Sequence, residues 1–67
     1  MNKRQKDIYD FIKNFLNEYN YSPSMREITT AVGLKSVSTT HGHLERLRNK
    51  GYIDFINSLP RTLQIVR

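Results

Sequence analysis

The sequence has no cysteine and no tryptophan, and only two prolines and three glycines among its 67 residues. Without cysteine there is no disulfide framework and no thiolate metal site. Its apolar runs are broken by charge every few residues, which excludes a membrane span or a secretory signal and points to a cytoplasmic protein. It lacks a glycine-rich phosphate loop, a His-Glu-x-x-His pair and a Gly-x-Ser-x-Gly elbow. A chain this small cannot enclose much of a cleft. No catalytic residue, cofactor, metal or small-molecule ligand is therefore expected. At this length it forms one domain at most, close to the size at which a single core only just suffices.

Acid is scarce in one half only. Through Leu34 five basic residues face four acids, whereas from Lys35 onward Lys35, Arg46, Arg48, Lys50, Arg61 and Arg67 face only Glu45 and Asp54. The formal charge of +5, with a pI near 9.9, is thus concentrated in the second half and favours a polyanionic partner.

Periodicity divides the chain into five elements. Ile8, Phe11, Ile12, Phe15, Leu16 and Tyr19 form one apolar stripe, predicting a first helix over about 4–20. Asn20 to Pro23 break the pattern, because the residue before a proline is pushed out of the helical region. Ser24 with Glu27 is a capping box that starts a second helix, about 25–33, burying Met25, Ile28 and Val32. Gly33 ends it, with Leu34 folding back as the apolar contact.

Ser36 is the expected N-cap of a third helix, about 37–50, closed by Gly51. At about 100° per residue Val37, Thr40, Leu44 and Leu47 share its inner face. Ser38, Thr39, Gly42, Glu45, Arg46 and Asn49 lie opposite, with His41 and His43 on the flanks. Alternation then predicts a hairpin, strands about 52–56 and 63–66, with Ile53, Phe55, Leu63 and Ile65 inward. The expected fold is mainly α with a small β-hairpin, a three-helix winged helix-turn-helix, in which the basic third helix reads double-stranded DNA.

Within this frame particular residues stand out. Short hydroxyls at Ser38 and Thr39, beside Gly42, leave the outer face slim enough for a major groove about 12 Å wide and able to bond phosphates or base edges. Gly42 costs roughly 1 kcal/mol against alanine in a helix, which suggests that another backbone approaches there. His41, on the flank toward the first turn, can donate to a phosphate or accept from a base, His43 reads as a partly buried packing residue, and Arg46 lies on the outer face. His41 and His43 cannot chelate one ion, since positions two apart on a helix point about 200° away from each other. Arg61, after Pro60 at the hairpin turn, is placed to meet phosphates or the minor groove. Lys3, Arg4 and Lys6 read as a solvated helix start or as phosphate contacts. If four to six cations meet phosphates, log affinity falls with log salt at a slope of roughly −4 to −5. A winged-helix protein-interaction module is the alternative, with Tyr52, Ile56 or Leu59 supplying an apolar patch.

Arg4-Gln5, Pro23-Ser24-x-Arg26-Glu27-Ile28, Val32-Gly33-Leu34, Ser38-Thr39-x-His41-Gly42-His43-Leu44, Leu47, Lys50-Gly51 and Pro60-Arg61 carry a resemblance. Along nearly its whole length the chain resembles the amino-terminal DNA-binding domain of the LexA repressor family of the bacterial SOS response, in its Gram-positive branch. The resemblance implies a third helix reading a GAAC-type half-site of a palindromic operator. By position it implies base reading by Ser36, Ser38, Thr39, His41 and Gly42, with Lys35 and Arg61 near the backbone or minor groove. Full members of the family continue into a dimer-holding peptidase domain with a Ser-Lys dyad, absent from these 67 residues. Self-cleavage and stable dimerisation are therefore not expected of them. They are expected to be largely monomeric and an excised domain, rather than a stand-alone regulator from a mobile element. One departure is Thr29, where helix-turn-helix motifs commonly have alanine; threonine fits if its hydroxyl bonds back to the helix.

Overall fold

A computed structural model describes all 67 residues as three helices followed by a two-stranded antiparallel sheet. Helix α1 spans Lys3–Tyr19, starting one residue earlier than the stripe predicts because Asn2 caps it, its side chain accepting from the Gln5 amide at 2.8 Å. Asn20 ends it in the left-handed region at φ 62°. Tyr19, expected on the inner stripe, is about half exposed, because α1 outruns the elements packed beneath it. Gln5 shows the opposite departure: it lies one turn before Ile8 on the same stripe and is buried.

Helix α2, Met25–Ala31, and helix α3, Val37–Asn49, form the helix-turn-helix. Both parts of the α2 capping box are present: the Glu27 amide donates to Ser24 Oγ at 3.1 Å, and the Ser24 amide donates to Glu27 Oε1 at 2.8 Å. Gly33 at φ 73° closes α2 in a Schellman turn, the Leu34 amide reaching the Thr29 carbonyl at 3.0 Å and the Gly33 amide the Thr30 carbonyl at 3.3 Å. Gly51 repeats the arrangement after α3, with Tyr52 bonded to Leu47 and Gly51 to Arg48. Arg4 of α1 donates to the Val32 carbonyl at 2.7 Å, so it fixes the helix-turn-helix turn from outside. Lys3 and Lys6 pair with Asp7 and Asp10 one turn on.

A buried hydroxyl pair joins the two helices. Thr29 Oγ1 donates to the Met25 carbonyl at 2.7 Å, as the sequence requires of a threonine there, and lies 2.6 Å from Thr40 Oγ1. Thr40 Oγ1 also reaches the Ser36 carbonyl at 3.4 Å, so either hydroxyl can donate to the other and the pair links the backbones of both helices.

The strands are shorter than alternation predicts. Strand β1 is Ile53–Asp54 and β2 is Gln64–Ile65, paired Ile53 to Ile65 and Asp54 to Gln64. Beyond Asp54 side chains replace the ladder: Asp54 Oδ1 accepts from the Phe55 amide, and Thr62 Oγ1 accepts from the Ile56 amide at 2.9 Å. Ile53, Phe55 and Leu63 nevertheless face inward and join Ile8, Ile12, Ile28, Leu44 and Leu47 in one core. At roughly 1.5–3 kcal/mol for each side chain fully withdrawn from water, this cluster is the main source of stability. Val37, expected on the inner face of α3, is exposed at the first position of the helix, and burial on that face begins one turn on at Thr40.

His43 is half-buried on the flank of α3, its Nδ1 shielded with no partner. Desolvation lowers its pKa below the ordinary 6.5, helped by the charges of Arg46 and Arg4. The neutral ring is thus the form that fits the fold. Stability is full above the unfolded value near 6.5 and is lost as pH falls toward the depressed folded value. Denaturant titrations of His43→Gln between about pH 7 and about pH 5 should show a flatter pH dependence than the parent. Identical profiles would mean that the ring takes up its proton as freely when folded.

Thr29→Val and Thr40→Val each remove one end of the hydroxyl pair and should cost about 1 kcal/mol. The double variant should cost less than the sum, by about 0.5–1 kcal/mol. Additive costs in a denaturant double-mutant cycle would mean that the two hydroxyls act independently.

Candidate nucleic-acid interface

Helix α3 carries the candidate surface, and its two ends fix how that surface is presented. At the start, Ser36 Oγ accepts from the Thr39 amide at 3.2 Å and lies 3.1 Å from Thr39 Oγ1. Ser36, although exposed, is therefore occupied as the N-cap, with one hydroxyl neighbour. Ser38 is exposed with no partner within the chain, and Lys35 stands unpaired just before the cap.

One turn on, Gly42 lies beneath Arg46. An added Cβ at Gly42 would meet only Arg46 Nη1, at 3.5 Å, an ordinary van der Waals distance. The protein's own packing therefore does not require glycine there. Arg46 reaches back over the turn before it, the direction in which long side chains lean on a helix. It is exposed and enters no ion pair, so it is free to reach an outside acceptor.

The flank toward the wing is tied down. His41 Nε2 lies 3.5 Å from Glu45 Oε1, and its ring meets Phe55 edge-on at 6.0 Å. Glu45 also accepts from Arg48 Nη2 at 3.1 Å. Arg48 spans to the wing, donating to the Phe55 carbonyl at 3.1 Å with its guanidinium 4.2 Å from the Phe55 ring centre. Glu45 therefore turns away from the outer face, where periodicity alone had placed it. The role of Arg48 was missed too, since by sequence it is only a cation suited to a helix end. Its position one turn after Glu45 was the available signal, because i, i+3 places the two charges side by side.

Arg61 lies on the wing turn, but its guanidinium does not project from it. Arg61 Nη1 donates to Glu27 Oε1 at 2.9 Å and to the Ser22 carbonyl at 3.1 Å, and the group sits 5.3 Å from the Tyr21 ring centre. Glu27 is held below its ordinary pKa, first by the Ser24 amide and then by Arg61, both of which favour its charged form. The backbone of Arg61 is left-handed at φ 57°, a conformation that costs a residue with a Cβ about 1 kcal/mol. The guanidinium contacts offset that cost.

Of the six basic residues from Lys35 onward, three are thus occupied. Arg48 and Arg61 hold the wing, while Arg67 donates to the Lys50 carbonyl at 2.9 Å and covers the Tyr52 ring. Lys35, Arg46 and Lys50 remain exposed and unpaired, all three at or next to α3. The apolar patch of the alternative reading is reduced as well. Ile56 and Leu59 are exposed, but Tyr52 packs edge-on against Tyr9 and under Arg67, because the Tyr9 hydroxyl donates to the Arg67 carbonyl and draws that end onto α1.

Seven of the eight candidate residues lie within one run, Lys35 to Arg46, and Arg61 stands apart beside α2. No helix is long and apolar enough to cross a membrane.

Known proteins resemble the chain in sequence. The profile of the LexA DNA binding domain matches residues 1–62. Among curated relatives, the LexA repressor of Oceanobacillus iheyensis is 54% identical over 66 residues, that of Staphylococcus haemolyticus 53% and that of Caldicellulosiruptor saccharolyticus 52%. Each alignment takes in 98% of this chain but only 32–33% of the relative, so the chain spans about a third of their length. A profile match over nearly all of a three-helix, one-hairpin chain, joined to identities above half, places it plainly: it belongs to the LexA DNA-binding domain family.

Proposed function

We propose that this domain binds double-stranded DNA sequence-specifically, laying α3 in the major groove of a palindromic operator half-site, as the operator-reading part of a LexA-like SOS repressor in the bacterial cytoplasm. The observation that carries the reading is the outer face of α3, where an unpartnered Ser38, Thr39, a glycine that packing does not require and an unpaired Arg46 stand together. In an interior or a protein-protein contact such a face would leave hydroxyls short of partners; against base edges and phosphates each finds one. The family match and the LexA repressor relatives favour this over a protein-interaction module.

In this reading Ser38, Thr39 and Gly42 meet base edges, while Lys35, Arg46 and the Ser36 end of the helix meet the phosphate backbone. His41, braced by Glu45 and Phe55, lines the side nearer the wing. Each copy occupies one half-site as a monomer. DNA binding and not catalysis is the role of this domain.

The occupied arginines lower the number of cations available to phosphate. Lys35, Arg46 and Lys50, with the exposed Arg26 of α2, give three to four contacts and a slope of about −3 to −4 in log affinity against log salt. Fluorescence anisotropy of a labelled palindrome of GAAC half-sites and of a scrambled duplex, across a salt series, measures both slope and preference. Ser38→Ala and Thr39→Ala together should erase most of the preference for the palindrome while leaving the slope in place. A parent domain that binds both duplexes equally would overturn the reading.

Gly42→Ala separates folding from recognition. The added methyl meets only the end of a flexible arginine, so helix propensity should raise stability by about 0.5–1 kcal/mol. The same methyl stands where the DNA approaches, so palindrome affinity should fall by about tenfold. Thermal melts and anisotropy on one preparation test the pair of expectations; a variant that is more stable and binds undiminished would show that nothing comes close to Gly42.

A further inference from the structure

The wing has no free cation at its turn. Residues 55–60, FINSLP, are uncharged, and Arg61, which follows them, is directed back onto the start of α2. Three contacts join the two segments. Arg61 meets both Glu27 and the Ser22 carbonyl, and the Leu63 amide donates to the buried Ser22 Oγ at 3.1 Å. Glu27 accepts from the Ser24 amide and from Arg61 through one oxygen, so a single carboxylate starts the helix and holds the wing.

We propose that the Glu27–Arg61 ion pair is a latch that fixes the wing against the helix-turn-helix, making Arg61 a positioning residue for DNA binding and not a phosphate contact. The inference rests on the DNA-binding reading above and changes one part of it. Arg61 Nη1 is shared between the Glu27 carboxylate and the Ser22 carbonyl with the guanidinium beside the Tyr21 ring, so its charge is already paired within the protein and a phosphate competes with Glu27 for it. The left-handed backbone at Arg61 turns the chain so that the side chain runs back toward α2.

The two readings of Arg61 differ in sign at Glu27. Glu27→Gln keeps an oxygen for the Ser24 amide, so the cap survives while the ion pair is lost. If Arg61 is a latch, Glu27→Gln and Arg61→Gln should each weaken palindrome binding by about fivefold, and the double variant should be no worse than either single one. Neither should change the salt slope. Arg61→Gly, which relieves the left-handed backbone, should bind as weakly as Arg61→Gln yet melt no lower than the parent. That dissociates the role from fold stability.

Anisotropy of the GAAC palindrome and the scrambled duplex, over a salt series with these four variants, reads all of it. A slope reduced by about 0.9 in Arg61→Gln, tighter binding by Glu27→Gln, or additive losses would each overturn the latch. Should the parent show no preference for the palindrome, the DNA-binding reading fails, and amide exchange at Leu63 then decides the latch alone. Faster exchange by the same factor in both single variants supports it; unchanged protection overturns it.

Discussion

The hydrogen bond between two buried threonines, Thr29 on α2 and Thr40 on α3, is the constraint from which the outer surface of α3 follows. Apolar contacts alone leave two packed helices some freedom to rotate and slide, because dispersion and the hydrophobic effect have little direction. A hydrogen bond in the interior does have direction, and leaving one of its partners unmet costs about 1–3 kcal/mol. Here the chain of bonds runs from the Met25 carbonyl through Thr29 and Thr40 to the Ser36 carbonyl, so the inner side of α3 is pinned at one angular setting. With Thr40 inward, Ser38 and Thr39 lie outward by helical geometry, and Gly42 and Arg46 follow on the same side. The outer face is thus a consequence of what is buried behind it.

A second layer of constraint holds the wing. Arg48 joins the end of α3 to Phe55, and Arg61 joins the far turn to α2. Between these two arginines the hairpin needs little ladder of its own, which is consistent with its having only two paired residues per strand. Thr62 closes the turn by accepting from Ile56, and the inward Ile53, Phe55 and Leu63 anchor the hairpin in the core. Cations that a charge count assigns to an outside polyanion are here parts of the scaffold. Net charge states how attractive a domain is to DNA at long range, but pairing decides which cations can meet it.

What was legible in the sequence follows the same division. The three helices and their ends were readable because they depend on local rules: an apolar stripe, Ser24 with Glu27, Ser36, and glycines where the backbone turns left-handed. The inward phase of the hairpin was readable from alternation. Tyr19 and Val37 were misplaced because periodicity gives a face but not how far the neighbouring elements extend along it. The strand lengths were overstated because side chains of Asp54 and Thr62 took amides that alternation assigns to a ladder. The Arg61–Glu27 and Arg48–Phe55 ties were not readable. Each joins elements whose relative placement exists only after folding, and an arginine in sequence has the same appearance whether it points to a carboxylate or to solvent. For the outer face of α3 periodicity supplies the direction, while which of its side chains are unpaired depends on contacts that form only on folding.

Helix α3 is a poor helix by composition, and that bears on how it works. It contains Gly42 and the β-branched Val37, Thr39 and Thr40, residues that lower helix propensity. Its order comes from outside: the Ser36 cap at one end, the Gly51 Schellman turn at the other, and Leu44 and Leu47 buried on one side. A helix stabilised in this way does not need its exposed positions for stability. Those positions are then open to residues chosen for what they meet outside the protein, including a glycine that an isolated helix would tolerate badly. The caps and the buried threonine pair carry the structure, so substitutions at Ser38, Thr39 and Gly42 leave the fold's main supports in place.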